Sequence, residues 1–130
     1  GPRLQLDLPP MDGLEVRPYV HNLYEHLACA DLALVQGGLS TTMELVATRR
    51  PFLSFPLQNH FEQCVHVRRR LFNYEADHSM DYPDITPESL AERARAAMHR
   101  PVRYRPVETD GAARAARRIA EVLENRGRTA

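Results

Sequence analysis

The chain has 130 residues, enough for one domain with a modest core, and its 17 basic and 17 acidic side chains give a formal net charge of zero. Every basic residue is Arg, without a basic excess or interleaved aromatic side chains, so the composition argues against a nucleic-acid-binding surface. No apolar run approaches the roughly 20 residues that cross a bilayer, and the N-terminus lacks the order of a signal peptide. We therefore expect residues 1–130 to form one cytoplasmic domain without a transmembrane segment.

The first predicted elements precede the glycine pair of the sequence. Residues 14–17 alternate apolar and polar side chains, which predicts a strand. Asn22 is a candidate N-cap for a helix that continues through Leu27. Cys29 and Cys64 lie in apparently apolar helices and lack the spacing of a metal site, so we expect two reduced, buried thiols.

The most informative segment sets two glycines between a short apolar strand and a helix. Residues 32–35 are predicted to form a buried strand, Gly37 and Gly38 a tight turn, and residues 40–42 the hydroxyl-rich first turn of a helix that continues through Val46. The free backbone N–H groups and the positive end of the helix dipole then face whatever lies above the turn. This arrangement favours an anion, such as a phosphate group.

The remaining elements continue an alternation of strands and helices. Phe52–Phe55 is predicted to be a second strand that ends at Pro56, and residues 63–72 show helical spacing of apolar side chains. Thr86 and Pro87 are typical of a helix start, and residues 110–125 predict a long helix whose apolar side packs against a neighbour. The predicted class is α/β, a Rossmann-like parallel sheet flanked by helices.

The order of these motifs resembles a known family. A strand, a GG-x-[ST]-T-x-x-E helix, a strand bounded by Pro51 and Pro56, and then Glu62-Gln63 follow one another as they do in the C-terminal, donor-binding half of GT-B glycosyltransferases. This group includes the UDP-glycosyltransferases and the family 28 glycosyltransferases. The resemblance covers about residues 14–98. It also implies that the domain is partial, because a complete donor domain has two further strands before residue 14.

The resemblance implies a role for individual residues. The donor diphosphate would be bound by Gln36, Gly37, Gly38, Ser40 and Thr41; the ribose by Glu44; the transferred sugar by His60, Glu62 and Gln63; and the base by Tyr19 and Val20. Each assignment has a structural alternative. Thr41 and Glu44 are spaced as a capping box, Glu62 and Gln63 suit the polar first turn of a helix, and Tyr19 could be an ordinary tyrosine at the edge of the core.

The function implied by the resemblance is binding of a UDP- or dTDP-sugar for an inverting glycosyl transfer of the hexosyltransferase type. A helix N-terminus can stabilise the leaving diphosphate without a metal, so we expect neither a metal nor a cofactor. No general base is assigned, since in this group the base and the acceptor pocket come mainly from an N-terminal acceptor domain; the fragment alone should be inactive. The alternatives are a sugar-nucleotide epimerase or hydrolase of the same fold, and a non-catalytic module. A sheet without its first strands has open edges, so self-association is also expected.

Overall fold

The computed structural model describes residues 8–127, and a parallel pair of strands lies at its centre. β1 is Ala33–Gln36 and β2 is Phe52–Phe55, with Gln36 opposite Phe55. A single parallel bridge from Ser54 to Ser79 extends the pairing on the far side of β2. The predicted α/β class with parallel strands is therefore confirmed.

Helices flank this sheet along the described chain. They are α1 (Leu23–Cys29), α2 (Leu39–Ala47), α3 (Arg68–Asn73), α4 (Pro87–Met98) and α5 (Gly111–Gly127). A π-helical segment, Glu62–Val67, runs directly into α3, and a short 3-10 turn, Tyr82–Asp84, precedes α4. α1 packs against α2, and α4 packs against β2.

The core joins the two strands to α2 and α3. Its buried members are Ala33, Leu45, Val46, Phe52, Val67, Leu71, Ala76 and Tyr104. Tyr104 reaches this core from the segment after α4 and meets the Phe52 ring edge-on, with 5.8 Å between the ring centroids. Because the core fixes β1 and β2 side by side, the residues that follow each strand meet at one edge of the sheet.

Short sequence patterns predicted most boundaries of the helices and strands to within one residue or two. β2 has the predicted bounds, whereas β1 begins and ends one residue later than predicted. At the start of α4, the Thr86 hydroxyl accepts a hydrogen bond from the Ser89 N–H at 3.2 Å, and the Ser89 hydroxyl accepts one from the Thr86 N–H at 2.9 Å. This reciprocal cap, followed by Pro87, confirms the predicted helix start.

Two predictions before β1 are corrected. Residues 14–17 form no strand, because alternation alone is insufficient without a neighbouring strand to pair with, and the described chain offers them none. Asn22 does immediately precede α1, but its side chain does not cap the helix backbone. It adopts a left-handed conformation with φ of 50°, and its amide donates a 3.4 Å hydrogen bond to the Glu25 carboxylate instead.

Two predictions of burial are also wrong. Cys29 is exposed and Cys64 is only half-buried, because α1 contributes no fully buried residue to the core. α5 forms near its predicted position, yet residues 111–125 are exposed along their whole length. Its apolar side, which includes Ile119 and Leu123, is therefore not buried against a neighbour within residues 8–127. None of the helices described is both long and apolar enough to span a membrane.

Candidate functional site

The candidate site is centred on the turn between β1 and α2. The Gly38 N–H donates a 2.7 Å hydrogen bond to the Gln36 carbonyl, which closes a tight turn directly after β1. Gly38 is also the N-cap of α2, and no side chain caps the first turn of this helix. The first N–H groups of α2 therefore keep their capacity to bind an anion at the positive end of the helix dipole.

The two glycines of the turn occupy different environments. A Cβ placed on Gly37 would lie 3.1 Å from the Pro56 Cα and 3.2 Å from its Cβ, so Gly37 is required for the close approach of the two strand ends. A Cβ placed on Gly38 would meet nothing within 4 Å. Gly38 is therefore the glycine that borders open space, where a ligand can approach the backbone.

The hydroxyl groups at the start of α2 differ in burial: one is buried and hydrogen-bonded within the fold, and two are accessible. Thr42 is fully buried, and its hydroxyl donates to the carbonyls of Gly38 at 2.9 Å and Leu39 at 3.1 Å. This bond ties the turn to the helix, a role that the sequence pattern did not assign. Ser40 is exposed and Thr41 is half-buried, so these are the two hydroxyls at the first turn that remain accessible to a ligand.

Glu44 lies one helical turn beyond Ser40, on the same face of α2. It is exposed, as a ribose-binding carboxylate would need to be. The alternative capping box of Thr41 and Glu44 is wrong, because α2 begins at Leu39 and its N-cap is Gly38. Thr41 is already inside the helix and does not occupy the capping position.

The predicted sugar-binding residues follow β2 at the same edge of the sheet. His60 and Glu62 are exposed, whereas Gln63 is half-buried. The Gln63 side-chain oxygen accepts a 3.0 Å hydrogen bond from the Leu57 N–H, and the Cys64 thiol donates to the Leu57 carbonyl at 3.0 Å. Together they hold the loop after Pro56 against the helix. This leaves the amide nitrogen of Gln63 for a ligand, and it gives Cys64 a role that no sequence signal indicated.

Tyr19 and Val20, the predicted base-binding residues, precede α1. Tyr19 is 70% exposed, so the alternative that it is an ordinary tyrosine at the core edge is wrong. Val20 is half-buried. Because α1 packs against α2, this segment is linked to the helix that carries Ser40 and Glu44.

A cavity larger than the one that borders these residues lies elsewhere on the described chain. It has a volume of about 760 Å³ and lies beside the first half of β2, between α4 and the segment that contains Arg100 and Tyr104. Ligands of open parallel sheets bind at the carboxyl ends of the strands, so we assign the site by position and not by cavity size.

The smaller cavity borders the candidate site. It measures about 490 Å³, and we call it the cationic groove; its lining consists of Leu39, Glu62, His66, Val67, Arg69, Arg70, Asn73 and Tyr74. Leu39 directly follows the glycine turn, and Glu62 is a predicted sugar-binding residue. The groove therefore borders both the start of α2 and the first residue of the π-helical segment.

The described part of the chain shows no group of side chains suited to binding a metal ion. Within residues 8–127, the His, Cys, Asp and Glu side chains form no group of three or more that could hold a metal ion. The anion-binding capacity of the site rests instead on backbone N–H groups and hydroxyls at the start of α2. The expectation of metal-independent chemistry stays a prediction.

Comparisons with known proteins identify the family of this chain. The family model described as the glycosyltransferase family 28 C-terminal domain matches residues 4–123. An uncharacterized glycosyltransferase from Methanopyrus kandleri is 33% identical over 113 residues, which cover 86% of this chain. The matched segment spans only 32% of that relative's length. No solved structure matches the chain.

Proposed function

Because the chain belongs to the family of glycosyltransferase family 28 C-terminal domains, we propose that it binds the nucleotide-sugar donor of a glycosyl transfer. The observation that carries this proposal is the open space above Gly38 at the uncapped start of α2. A diphosphate in this space would accept hydrogen bonds from the first N–H groups of α2 and from the hydroxyls of Ser40 and Thr41.

The other donor groups would extend from the diphosphate in two directions. Glu44, one turn along α2, would accept hydrogen bonds from the ribose hydroxyls, and the segment at Tyr19 and Val20 would hold the base. His60, Glu62 and the free amide of Gln63 would contact the transferred sugar. The support for Glu44, His60 and Glu62 is their exposure in the segments that follow the two parallel strands, and the support for Tyr19 and Val20 is the packing of α1 against α2.

The reaction that we propose is an inverting, metal-independent transfer of a hexose from a UDP- or dTDP-sugar. As the bond to the sugar breaks, negative charge grows on the leaving diphosphate, and oriented N–H groups at a helix start stabilise such charge. Because the described site contains no candidate base beside Gly38, the base and most of the acceptor pocket would come from an N-terminal partner domain. The chain alone would bind the donor without transferring the sugar.

A nucleotide titration tests the ribose assignment directly. For a UDP-sugar donor, calorimetry on the full-length protein should give tighter binding of UDP than of 2′-deoxy-UDP, because Glu44 would lose one hydroxyl partner; a dTDP-sugar donor would show no such preference. Glu44→Gln should weaken UDP binding by about 10-fold, since its amide oxygen makes only neutral hydrogen bonds, and it should narrow the difference between the two nucleotides; Glu44→Ala, which removes the acceptor, should abolish that difference. Glu88→Gln, which replaces an exposed glutamate in the first turn of α4, is the matched control and should bind like the wild type.

Two outcomes separate this function from its alternatives. Product analysis with a UDP-sugar and no acceptor should show neither an epimer nor rapid release of free sugar; either product would favour an epimerase or a hydrolase. Failure of UDP, dTDP and their sugars to bind the full-length protein would leave a non-catalytic module as the better description.

A further inference from the structure

The larger cavity lies away from the donor residues, at the opposite end of β2. Its lining includes Phe52 and Leu53, the first residues of this strand, whereas the glycine turn meets Pro56, which follows the strand. Four residues of strand at about 3.3 Å each place Phe52 about 13 Å from Pro56. None of the described residues that line this cavity is assigned to the donor. The cavity is therefore a second candidate site, independent of the proposed function.

The size and walls of this cavity suit a small organic molecule. Its volume of about 760 Å³ falls in the range of roughly 300–1,000 Å³ that is typical of ligand pockets. One wall is apolar and includes Phe52, Val102 and Tyr104. The other wall is one face of α4, whose lining residues recur at helical spacings of three and four positions: Ser89, Glu92, Arg93, Ala96 and Ala97. The cavity thus combines an apolar surface with charged side chains.

Two of the carboxylates that line the cavity are already paired with arginines outside it. Glu75 lies 2.8 Å from the Arg105 guanidinium. Asp77 lies 3.7 Å from the Arg68 guanidinium, and its oxygen also accepts hydrogen bonds from residue 79. Among the described residues, Glu92 of α4 is therefore the lining carboxylate that no arginine compensates.

The arginines that line the cavity have the opposite status. They are Arg93 of α4 and, beyond this helix, Arg100 and Arg103; all three are exposed, and none forms an ion pair within residues 8–127. Three guanidinium charges against the Glu92 carboxylate leave two positive charges without a counter-charge in the lining. Burial and, second, the positive charge of Arg100 lower the pKa of His78, which also lines the cavity. The cavity is therefore cationic and lacks its anion.

We propose that the larger cavity binds a small phosphate monoester, with Arg93, Arg100 and Arg103 as the direct ligands of its phosphate. A phosphate monoester carries a charge of about −1.5 to −2 at pH 7, which balances the two uncompensated positive charges. Guanidinium groups also match the geometry of phosphate oxygens. The organic group of the ester lies against the apolar wall at Val102 and Tyr104, in space that a phosphate alone would leave empty.

Calorimetric titration of the full-length protein with phenyl phosphate, with and without saturating UDP, tests this assignment. UDP should leave the affinity unchanged, because the two sites lie at opposite ends of β2. Arg93→Gln, Arg100→Gln and Arg103→Gln should each weaken phenyl phosphate binding by about 10-fold, because each removes charge-assisted hydrogen bonds. Glu92→Gln should strengthen it by a few-fold at low salt, since it removes the opposing charge. Arg95→Gln, which replaces an exposed arginine of α4 that lines neither cavity, is the matched control and should bind like the wild type.

The outcomes distinguish this site from the donor site. Weaker phenyl phosphate binding in the arginine variants, with unchanged melting temperatures and UDP affinity, supports the assignment. No binding, binding that all three arginine variants retain, or displacement by UDP overturns it, as does an unchanged affinity in Glu92→Gln, a variant that leaves every arginine in place. Inorganic phosphate that binds as tightly as phenyl phosphate overturns the assignment to an ester. If UDP fails to bind but phenyl phosphate binds through these arginines, the donor proposal fails and this site stands.

Discussion

The adjacent glycines at the end of β1 should respond in opposite ways to an added side chain. In Gly37→Ala, the new Cβ would lie 3.1 Å from the Pro56 Cα and 3.2 Å from its Cβ, closer than ordinary contacts of 3.4–4 Å. Pro56 is buried, so relief of this contact requires the two strand ends to move apart by a few tenths of an ångström. Overpacking of this kind typically costs about 1–3 kcal/mol of unfolding free energy.

Gly38→Ser is the matched variant. Its Cβ meets no atom within 4 Å, and the φ of −72° suits any residue. Serine is at least as good an N-cap as glycine, so we expect the unfolding free energy to stay within a few tenths of a kcal/mol of the wild type or to rise slightly. The hydroxymethyl group would, however, occupy the space proposed for the diphosphate, and UDP affinity should fall by about 10-fold or more, or about 1.4 kcal/mol.

Urea unfolding and UDP calorimetry on the two variants check both halves of this reasoning. Gly37→Ala should lower the urea concentration at the unfolding midpoint. Its melting temperature should fall by several degrees, because each kcal/mol of lost unfolding free energy lowers it by roughly 2–8 °C. A Gly37→Ala protein as stable as the wild type would refute the close packing on Pro56. A Gly38→Ser protein that binds UDP normally would show that the diphosphate does not lie over this turn.

Three further predictions follow from individual contacts. Thr42→Val keeps the shape of the buried side chain but loses its hydrogen bonds to the turn, so unfolding free energy should fall by about 1 kcal/mol in urea titrations, whereas Thr42→Ser should keep those bonds. Burial and the nearby Arg100 lower the pKa of His78, against a smaller opposing effect of Asp77. As the pH falls below about 6.5, His78 is therefore protonated in the unfolded chain before it is protonated in the folded one, so the free energy of unfolding should decrease. His78→Gln should flatten this decrease in unfolding experiments between about pH 7 and pH 5.5. The outer edge of β1 has no partner strand in the described chain and carries the half-exposed Leu34, so sedimentation of this chain should show self-association that Leu34→Lys reduces; a monomer at high concentration would contradict this.

Features that depend on neighbouring residues in the sequence were predictable. The bounds of β2, the cap at Thr86 and the helix after the glycine pair all arise from short patterns of apolar, hydroxyl and turn residues. These patterns act through local backbone preferences, which the sequence displays directly. The candidate site could be predicted to the same extent, because its strand, turn and helix are contiguous in the chain.

Features that depend on distant partners were not predictable. Residues 14–17 alternate correctly but find no strand to pair with among the described residues, and the apolar side of α5 is not buried within residues 8–127. The ion pairs of Arg68 likewise depend on Asp77 and Asp81, two residues beyond α3 that tertiary structure brings close to it. No short pattern distinguishes Arg68 from Arg69, since the difference lies in which carboxylates tertiary structure brings near.

The glycine pair combines both kinds of feature, and this limits what mutagenesis of the motif can show. Gly37 is required because Pro56 approaches it, so loss of activity in a Gly37 variant would follow from damage to the fold whether or not a diphosphate binds there. Gly38, Ser40 and Glu44 border solvent, and their replacement leaves the buried contacts intact. Variants at these accessible positions can therefore separate donor binding from folding, and a comparison that pairs Gly38→Ser with Gly37→Ala makes that separation within a single turn.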